Sequence, residues 1–575
     1  MPSVLPVRVS KRWQVDARIP AEIEEALKNY RPMLRQMLFN RGVVNAEQAE
    51  KFLNKSGSLH DPFLLTDMDS AVERLSWAAQ HGETIIVYGD YDVDGITATV
   101  LMVQILEAIG AKARAYIPNR FDEGYGLTNE ALEKLASEGA QLVLTVDCGI
   151  RSPREAERAR ELGIDLVISD HHEPRTEIPL AQAVICPKRP GDGYPEKNLA
   201  GVGLAYKIVE GLLARSGTEH IAAEEWLDLV AVGTVADVVP LTGENRSMVK
   251  AGLRRLRLGK RQGILSLANA ADLALQNTNA RDIGYVIGPR LNAAGRLDSA
   301  MDALSLLMST EVAKTGLLAQ KLDDQNRHRQ DLTQKLFEEA QVGLVEKDEH
   351  LLFSTHSDED RRKMGIVGLV ASRLADTYYR PAVVAAQGEE FTRASCRSIP
   401  EFHITKALDE CADLMERHGG HAMAAGFTIR NDRLPELKTR LKEIAGRELA
   451  GLDLRPMLHA DMEIPLGMLR PDVLQDIDAL EPSGLGNPGA LFVSRGLRVD
   501  QYYRVGKDGS HLRLKFKDGG ITFDAIAFRM GYWADQMPQR IDLLYSFEQN
   551  FYQGRSSLQL NIKDLKPADQ KDEPG

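Results

Sequence analysis

The chain has 575 residues, of which 43% are hydrophobic and 27% charged; this is ordinary for a soluble protein, and too long for one hydrophobic core, so three or four domains are expected. A net charge of −12 argues against coating nucleic acid by bulk electrostatics, though not against threading a strand through a local basic groove. There is no apolar run long enough to cross a membrane, and the start MPSVLPVRVSKRWQVD lacks a signal peptide's apolar core. Cys148, Cys186, Cys396 and Cys411 make no C-x-x-C pair, so a cytoplasmic chain with free thiols is expected.

Residues 1–75 read as a helical lead-in packed on the next domain. AEIEEALKNYRPMLRQMLFNRG has helical spacing, Asn45 suits an N-cap, and TDMDSAVERLSWAAQHG stops at Gly82. Residues 76–298 read as one domain, in which strands and helices alternate from about 83 to 245. ETIIVYGD, ARAYIP, QLVLTVDCGI, IDLVISDHH and QAVICP read as strands, with helices between them that stop at Gly110 and Gly163. Repeated βα units imply a parallel sheet with helices on both faces. Ligands of such sheets sit at the carboxyl ends of the strands.

Acids gather at that edge. Asp90, Asp92 and Asp94 follow the first strand in GDYDVDG, Asp147 ends LVLTV, and Asp170-His171-His172 end LVIS. Asp237 lies in the otherwise apolar LDLVAVGTVADVVPL, where a lone carboxylate is costly unless paired or metal-bound. Taken singly, these residues could be helix caps or satisfied core groups. Converging on one edge from four segments, they point to a divalent cation such as Mg²⁺ or Mn²⁺.

Residues 299–347 read as a long connecting helix with a stripe at Leu318, Leu322, Leu332 and Leu336. Residues 348–448 form a second α/β unit. There Ser395 and Arg397 could fork onto a phosphate, and the glycines before His421 would let backbone approach a ligand closely. EPSGLGNPGALF reads as a rigid hinge. Residues 449–566 alternate as strands of an OB-like barrel, locally basic through Arg495, Arg498, Arg504, Lys507, Arg513, Lys515 and Lys517. Residues 567–575 read as a disordered tail.

GDYDVDG, VDCG, SDHHEP and GTVADVVPL, in this order, resemble the four motifs of the DHH phosphoesterase superfamily. NRFDEGYGL, LAGVGLAYKI, IGPRLNAAGRLD and GGHAMAAGF resemble its single-stranded-DNA-specific exonuclease branch, and residues 348–448 resemble a DHHA1 domain. The resemblance implies two divalent cations, Mn²⁺ or Mg²⁺, bridged by Asp147. Asp92 would bind one; Asp94, His171 and Asp237 would bind the other. Asp90 and Asp170 would support these ligands, and His172 would face the scissile phosphate as electrophile or proton donor. Arg120, Arg290 and Arg296 would hold the strand, Tyr125 would stack a base, and Ser395, Arg397 and His421 would contact substrate. The resemblance further implies a second domain set over the catalytic edge, leaving a groove too narrow for duplex.

The implied activity is 5′–3′ hydrolysis of single-stranded DNA to mononucleotides in repair and recombination, by a monomer. A single-stranded-DNA-binding protein and a RecQ-type helicase are the implied partners. Two departures from the family pattern stand out: Lys363-Met364 precede GIVG where a histidine is usual, and Cys396 replaces a glycine. A small-substrate phosphodiesterase acting on oligonucleotides or cyclic dinucleotides is the alternative enzyme, but such proteins usually lack the barrel. A non-catalytic DNA-binding scaffold is the alternative outside enzymes, but such relatives lose motif acids that are all present here.

Overall fold

The computed structural model describes residues 9–53, 59–119, 123–124, 126–216, 218, 220–297, 299–342, 344, 349–357, 364–518, 521–552 and 555–568. One unit takes Asn54–Leu332 and Glu481–Pro488; the other takes Met1–Leu53, Thr333–Leu480 and Gly489–Gly575. The lead-in opens with a strand, β1 (Arg12–Val15), that helical spacing does not reveal. Its first helical stretch is two helices, Ala21–Ala26 and Pro32–Asn40. Pro32 has no N–H to continue a helix and begins the second one instead. Asn45 caps Ala46–Leu53 as expected, accepting from the Gln48 N–H at 2.9 Å. Leu27, Leu34, Met37 and Leu38 pack in one core with Leu512, Phe516, Leu543 and Phe547. Residues 9–53 of the lead-in therefore pack on the C-terminal strands, while Leu65, Met68, Val72 and Leu75 pack in the core of the domain that follows, as expected.

In the unit formed by Asn54–Leu332 and Glu481–Pro488, five apolar runs become parallel strands. These are β2 (Thr84–Gly89), β3 (Lys112–Tyr116), β4 (Leu142–Val146), β5 (Asp165–Ser169) and β6 (Ala183–Ile185), in the order β3-β2-β4-β5-β6. Alternate residues serve two layers: Ile85 and Val87 pack into one core, Ile86 and Tyr88 into the other. A sheet covered on both faces needs runs that are apolar throughout. The helix Val93–Ala108 is buried on nearly every side. It lies against β2 and β3 and against the helices Gly201–Ser216 and Leu227–Ala236, which explains why VLMVQIL shows no polar face.

In the other unit, a mixed sheet runs β10-β11-β9-β8-β7. Its strands are β7 (Leu352–Ser357), β8 (Ala382–Gln387), β9 (Phe391–Arg397), β10 (Arg417–Gly420) and β11 (Ala424–Arg430), and only β7 and β8 pair in parallel. β12 (Met457–Ala460) pairs in parallel with β1. After β13 (Met462–Glu463) come β14 (Phe492–Val505), β15 (His511–Asp518), β16 (Ile521–Ala527), β17 (Arg540–Tyr552) and β18 (Arg555–Pro567). Pairing of β14 with both β15 and β17 closes these strands into a barrel, which removes the exposed edges of an open sheet. The long helix spans Val312–Val342, with Leu322 and Leu336 buried. The fold class is thus as expected: a parallel α/β sheet, a second α/β sheet, a long helix and an OB-like barrel.

Candidate metal centre and active site

The site begins with strand register. Gly89 of β2 lies beside Val146 of β4, and Val146 lies beside Ser169 of β5. The next residue on each strand is an acid, so Asp90, Asp147 and Asp170 form a row along the carboxyl edge. The strand order reverses between β2 and β4, the point where doubly wound sheets bind their ligands. Asp147 has φ +63°, a left-handed conformation in which Asp is less strained than most residues.

The rest of the first motif is placed by a helix start. Asp92 caps the helix Val93–Ala108, its Oδ1 accepting from the N–H groups of Asp94 (2.9 Å) and Gly95 (3.1 Å). Asp94 therefore turns inward on the first helical turn, where its side chain is buried. There it accepts from Gly201 N–H (2.6 Å) and Val202 N–H (2.8 Å), at the N-terminus of Gly201–Ser216. A Cβ on Gly201 would lie 2.6 Å from the Asp147 Cβ, and one on Gly233 would lie 3.0 Å from the Asp94 Oδ1. These two glycines shape the site, and composition or charge patterning does not reveal them. The available signal is LAGVG itself, a glycine pair opening an apolar helix.

His171 Nε2 lies 3.1 Å from Asp147 Oδ1, 3.6 Å from Asp237 Oδ2 and 3.9 Å from Asp94 Oδ2. Asp237 reaches this cluster from the C-terminal end of Leu227–Ala236. Among the described residues, two triads have ligand atoms close enough to share a cation: Asp90, Asp92 and Asp147, and Asp94, His171 and Asp237. A third grouping, Asp147, His171 and His172, overlaps both. Burial and the neighbouring carboxylates push Asp94 up to about 7 and Asp237 up to about 9, and raise Asp147 well above the usual carboxylate range. Burial, reinforced by His172, lowers His171 to about 3, so its imidazole is neutral, as a metal ligand requires.

Asp147 Oδ1 and both ring nitrogens of His171 are buried without a hydrogen bond of ordinary geometry. Such groups are costly unless something satisfies them. A mixed carboxylate and imidazole donor set with buried, uncompensated acids fits a divalent cation. Asp170, at the end of the row, points elsewhere. It accepts from Ile150 N–H (2.9 Å) and His172 N–H (3.0 Å), and its Oδ1 lies 2.7 Å from His172 Nδ1. Burial opposes charge on both partners, but the bond prevails: Asp170 falls below the usual range and His172 rises above it.

Three family models match the chain: the DHH family N-terminal domain over residues 84–234, the DHHA1 domain over 349–447 and the RecJ OB domain over 460–564. The single-stranded-DNA-specific exonuclease RecJ of Escherichia coli (strain K12) is 35% identical over 97% of this chain and 99% of its own. The chain belongs to the RecJ family. RecJ of Bacillus subtilis (strain 168) is 34% identical over 96% of this chain and 70% of its own. A crystal structure of RecJ from Thermus thermophilus in complex with Mn²⁺ matches with a TM-score of 0.83 at 30% identity, covering 97% of this chain and 80% of that one.

The remaining candidate residues of this RecJ-family chain are placed as follows. Arg120, Tyr125 and Lys363 lie outside the described residues. Arg290 pairs with the buried Asp323 at 2.8 Å and donates to the Val286 carbonyl at 2.9 Å; Arg296 is in the last turn of Gly288–Leu297. Ser395 and Arg397 share one face of β9, with Arg397 Nη1 donating to Ser395 Oγ at 3.2 Å. The start of Val367–Tyr378 closes on both, since a Cβ on Gly368 would lie 3.0 Å from Ser395 Oγ and 3.1 Å from Arg397 Nη2. Cys396 points the other way into the core, where it fills space a glycine would leave.

His421 sits in the exposed hairpin between β10 and β11. The hairpin itself requires the second of the two glycines that precede it. Gly420, at φ +149°, leaves only 2.4 Å between a Cβ and the Ala424 carbonyl, and Gly419 has open space around it. Of the seven basic residues named above, three are matched by acids: Arg495 by Glu463 and Asp542, Arg504 by Asp535, and Lys517 by Asp500. The barrel's positive field is smaller than its basic residues suggest.

Proposed function

We propose that this chain is a metal-dependent exonuclease that degrades single-stranded DNA from its 5′ end to 5′-mononucleotides, with two divalent cations, Mn²⁺ or Mg²⁺, in one site. The observation that carries the reading is the pair of ligand triads, Asp90–Asp92–Asp147 and Asp94–His171–Asp237, on one sheet edge. Asp147 stands close enough to His171 to join the second triad as well, which suits a bridge. The refinement over the sequence reading is Asp90, whose position favours ligation beside Asp92 over a purely supporting role.

When bound, two cations supply a nucleophile at neutral pH and stabilise the charge on attacking and leaving oxygens. The protein's own groups do the rest. Asp170 fixes the His172 ring through Nδ1, which directs Nε2 toward substrate and keeps the ring protonated to higher pH. His172 then stands as the proton donor to the leaving oxygen. Gly201 and Val202 hold Asp94 at a helix N-terminus, so the ligand carboxylate needs no reorganisation. In the second domain, Ser395, Arg397 and the N–H groups opening Val367–Tyr378 suit a phosphate of the strand. Arg120, Arg290, Arg296, Tyr125 and His421 remain proposed substrate contacts, and a single-stranded-DNA-binding protein and a RecQ-type helicase remain proposed partners.

The test is digestion of 5′- and 3′-labelled single strands and of blunt duplex in Mn²⁺ or Mg²⁺. Mononucleotide as the first product from the 5′-labelled strand, with the duplex intact, is the expected result. Initial release from the 3′ label, or equal attack on the duplex, overturns it.

A further inference from the structure

The residues Glu481–Pro488 belong to the unit that carries the acids, although the chain on either side of them belongs to the other unit. This short strap docks on the loop that follows Asp237. Leu241 N–H donates to the Leu485 carbonyl at 2.7 Å, and Arg246 donates to the Pro482 carbonyl at 3.1 Å. Two glycines allow the approach: a Cβ on Gly484 would lie 2.7 Å from Leu241 Cδ1, and one on Gly486 would lie 3.3 Å from Pro240 Cβ. The strap holds its own shape as well. Gly484 and Asn487 exchange backbone hydrogen bonds of 2.8 and 3.1 Å, and the buried Asn487 side chain donates to the Pro482 carbonyl at 2.7 Å.

The loop beneath it needs holding. Val238, next to Asp237, has φ +61°, a conformation that is a genuine outlier for a β-branched residue. Its side chain is 64% exposed, so burial of that side chain does not fix the backbone. Such strain persists where the surroundings over-determine it. Here the Val238 N–H donates to the Val235 carbonyl at 3.3 Å and Leu241 packs in the domain core, and further contacts at Pro240, Leu241 and Thr242 come from the strap and from Asn245, whose Nδ2 donates to the Pro240 carbonyl at 3.1 Å. Asp237 is thus anchored on one side by its helix, through its N–H to the Gly233 carbonyl at 2.9 Å, and on the other by a strap from distant sequence.

We infer that the strap Glu481–Pro488 is a positioning element for Asp237: its docking sets the affinity of the cation held by Asp94, His171 and Asp237, while the Asp90–Asp92–Asp147 triad is independent of it. This rests on the two-cation reading above. Groups that orient a metal ligand typically control metal affinity by about 10–100-fold, and the strap acts on the backbone that aims one.

Mn²⁺ binding to the full-length protein, followed by the electron paramagnetic resonance signal of free Mn²⁺, tests the inference without relying on activity. Wild type is expected to bind two ions and Asp237→Ala one. Gly484→Val, which drives the strap off Leu241, and the milder Asn487→Ala are each expected to weaken one of the two sites by about 10–100-fold and leave the other unchanged. Thermal unfolding without metal identifies a variant that fails to fold. Strap variants that lower the unfolding midpoint yet bind both ions as tightly as wild type overturn the inference, because the strap is then only structural. Variants that weaken both sites equally also overturn it. Wild type binding a single ion, or Asp237→Ala binding two, defeats the two-cation reading itself.

Discussion

At the scale of single residues, the site depends on small side chains as much as on acids. Gly201 donates its N–H to Asp94 and leaves no room for a Cβ beside Asp147. Gly201→Ala is therefore expected to weaken Mn²⁺ binding by about 10–100-fold, measured by equilibrium dialysis; wild-type affinity would show that the helix start can shift without moving either acid. The Asp170–His172 pair has a different signature. Its hydrogen bond and charge raise His172, so Asp170→Asn lowers that pKa. A step needing protonated His172 then fails at lower pH, and the alkaline limb of the kcat profile moves down. His172→Ala is expected to lower kcat by about 10²–10⁴-fold. Asp90, Asp147, Asp170 and His171 were legible in the sequence because alternating βα units dictate that strand ends share an edge, and Asp237, at the end of a helix, was legible as a carboxylate in an apolar run. The glycines were not, because their role is set by what lies across from them in space.

At the scale of elements, the barrel shows how far a sequence count of charges reaches. Arg495, Arg504 and Lys517 are paired with acids, and exposed pairs leave little net field for a phosphate. Replacing Lys507 and Lys515 by Gln is expected to weaken binding of a single-stranded oligonucleotide and to reduce the log–log slope of its salt dependence by about 1.4. Replacing Arg495 and Lys517 in the same way should change that slope less; a fluorescence-anisotropy salt titration separates the two. The elements themselves were mostly legible: apolar runs gave the strands, and Gly82, Gly110 and Gly163 at φ +67°, +89° and +71° stop helices where expected. Two were not. Pro32 split a helix that periodicity ran together, and EPSGLGNPG, whose composition suits a hinge, is held in place by Leu241 and Arg246.

At the scale of the whole molecule, the buried acids couple metal binding to stability. Asp94 and Asp237 rise from an unfolded value of 3.8 to about 7 and about 9 in the folded chain. Above pH 4 or so the folded chain thus holds more protons than the unfolded one, and these groups lower metal-free stability as pH climbs toward 9. A cation must displace those protons, so affinity rises across the same range and binding releases protons into the buffer. The midpoint gain from added Mn²⁺ is expected to grow between pH 6 and 9, read by thermal unfolding with and without metal. A gain that is flat with pH would mean the acids are already ionised.

The pairing of β1 with β12 carries a consequence for the chain as it is made. The Arg12 side chain donates to the Arg455 carbonyl, a partner 443 residues away. At about 5–20 residues per second, the first strand waits roughly 20–90 s after its own synthesis before its partner exists. Leu27, Leu34, Met37 and Leu38 wait longer still for the rest of their core, which Leu512 to Phe547 complete. Ribosome-bound chains arrested near residue 450 should therefore be cut by protease within residues 9–53, while released full-length chains resist. The leading segment of this protein is a client for whatever shields nascent apolar surface.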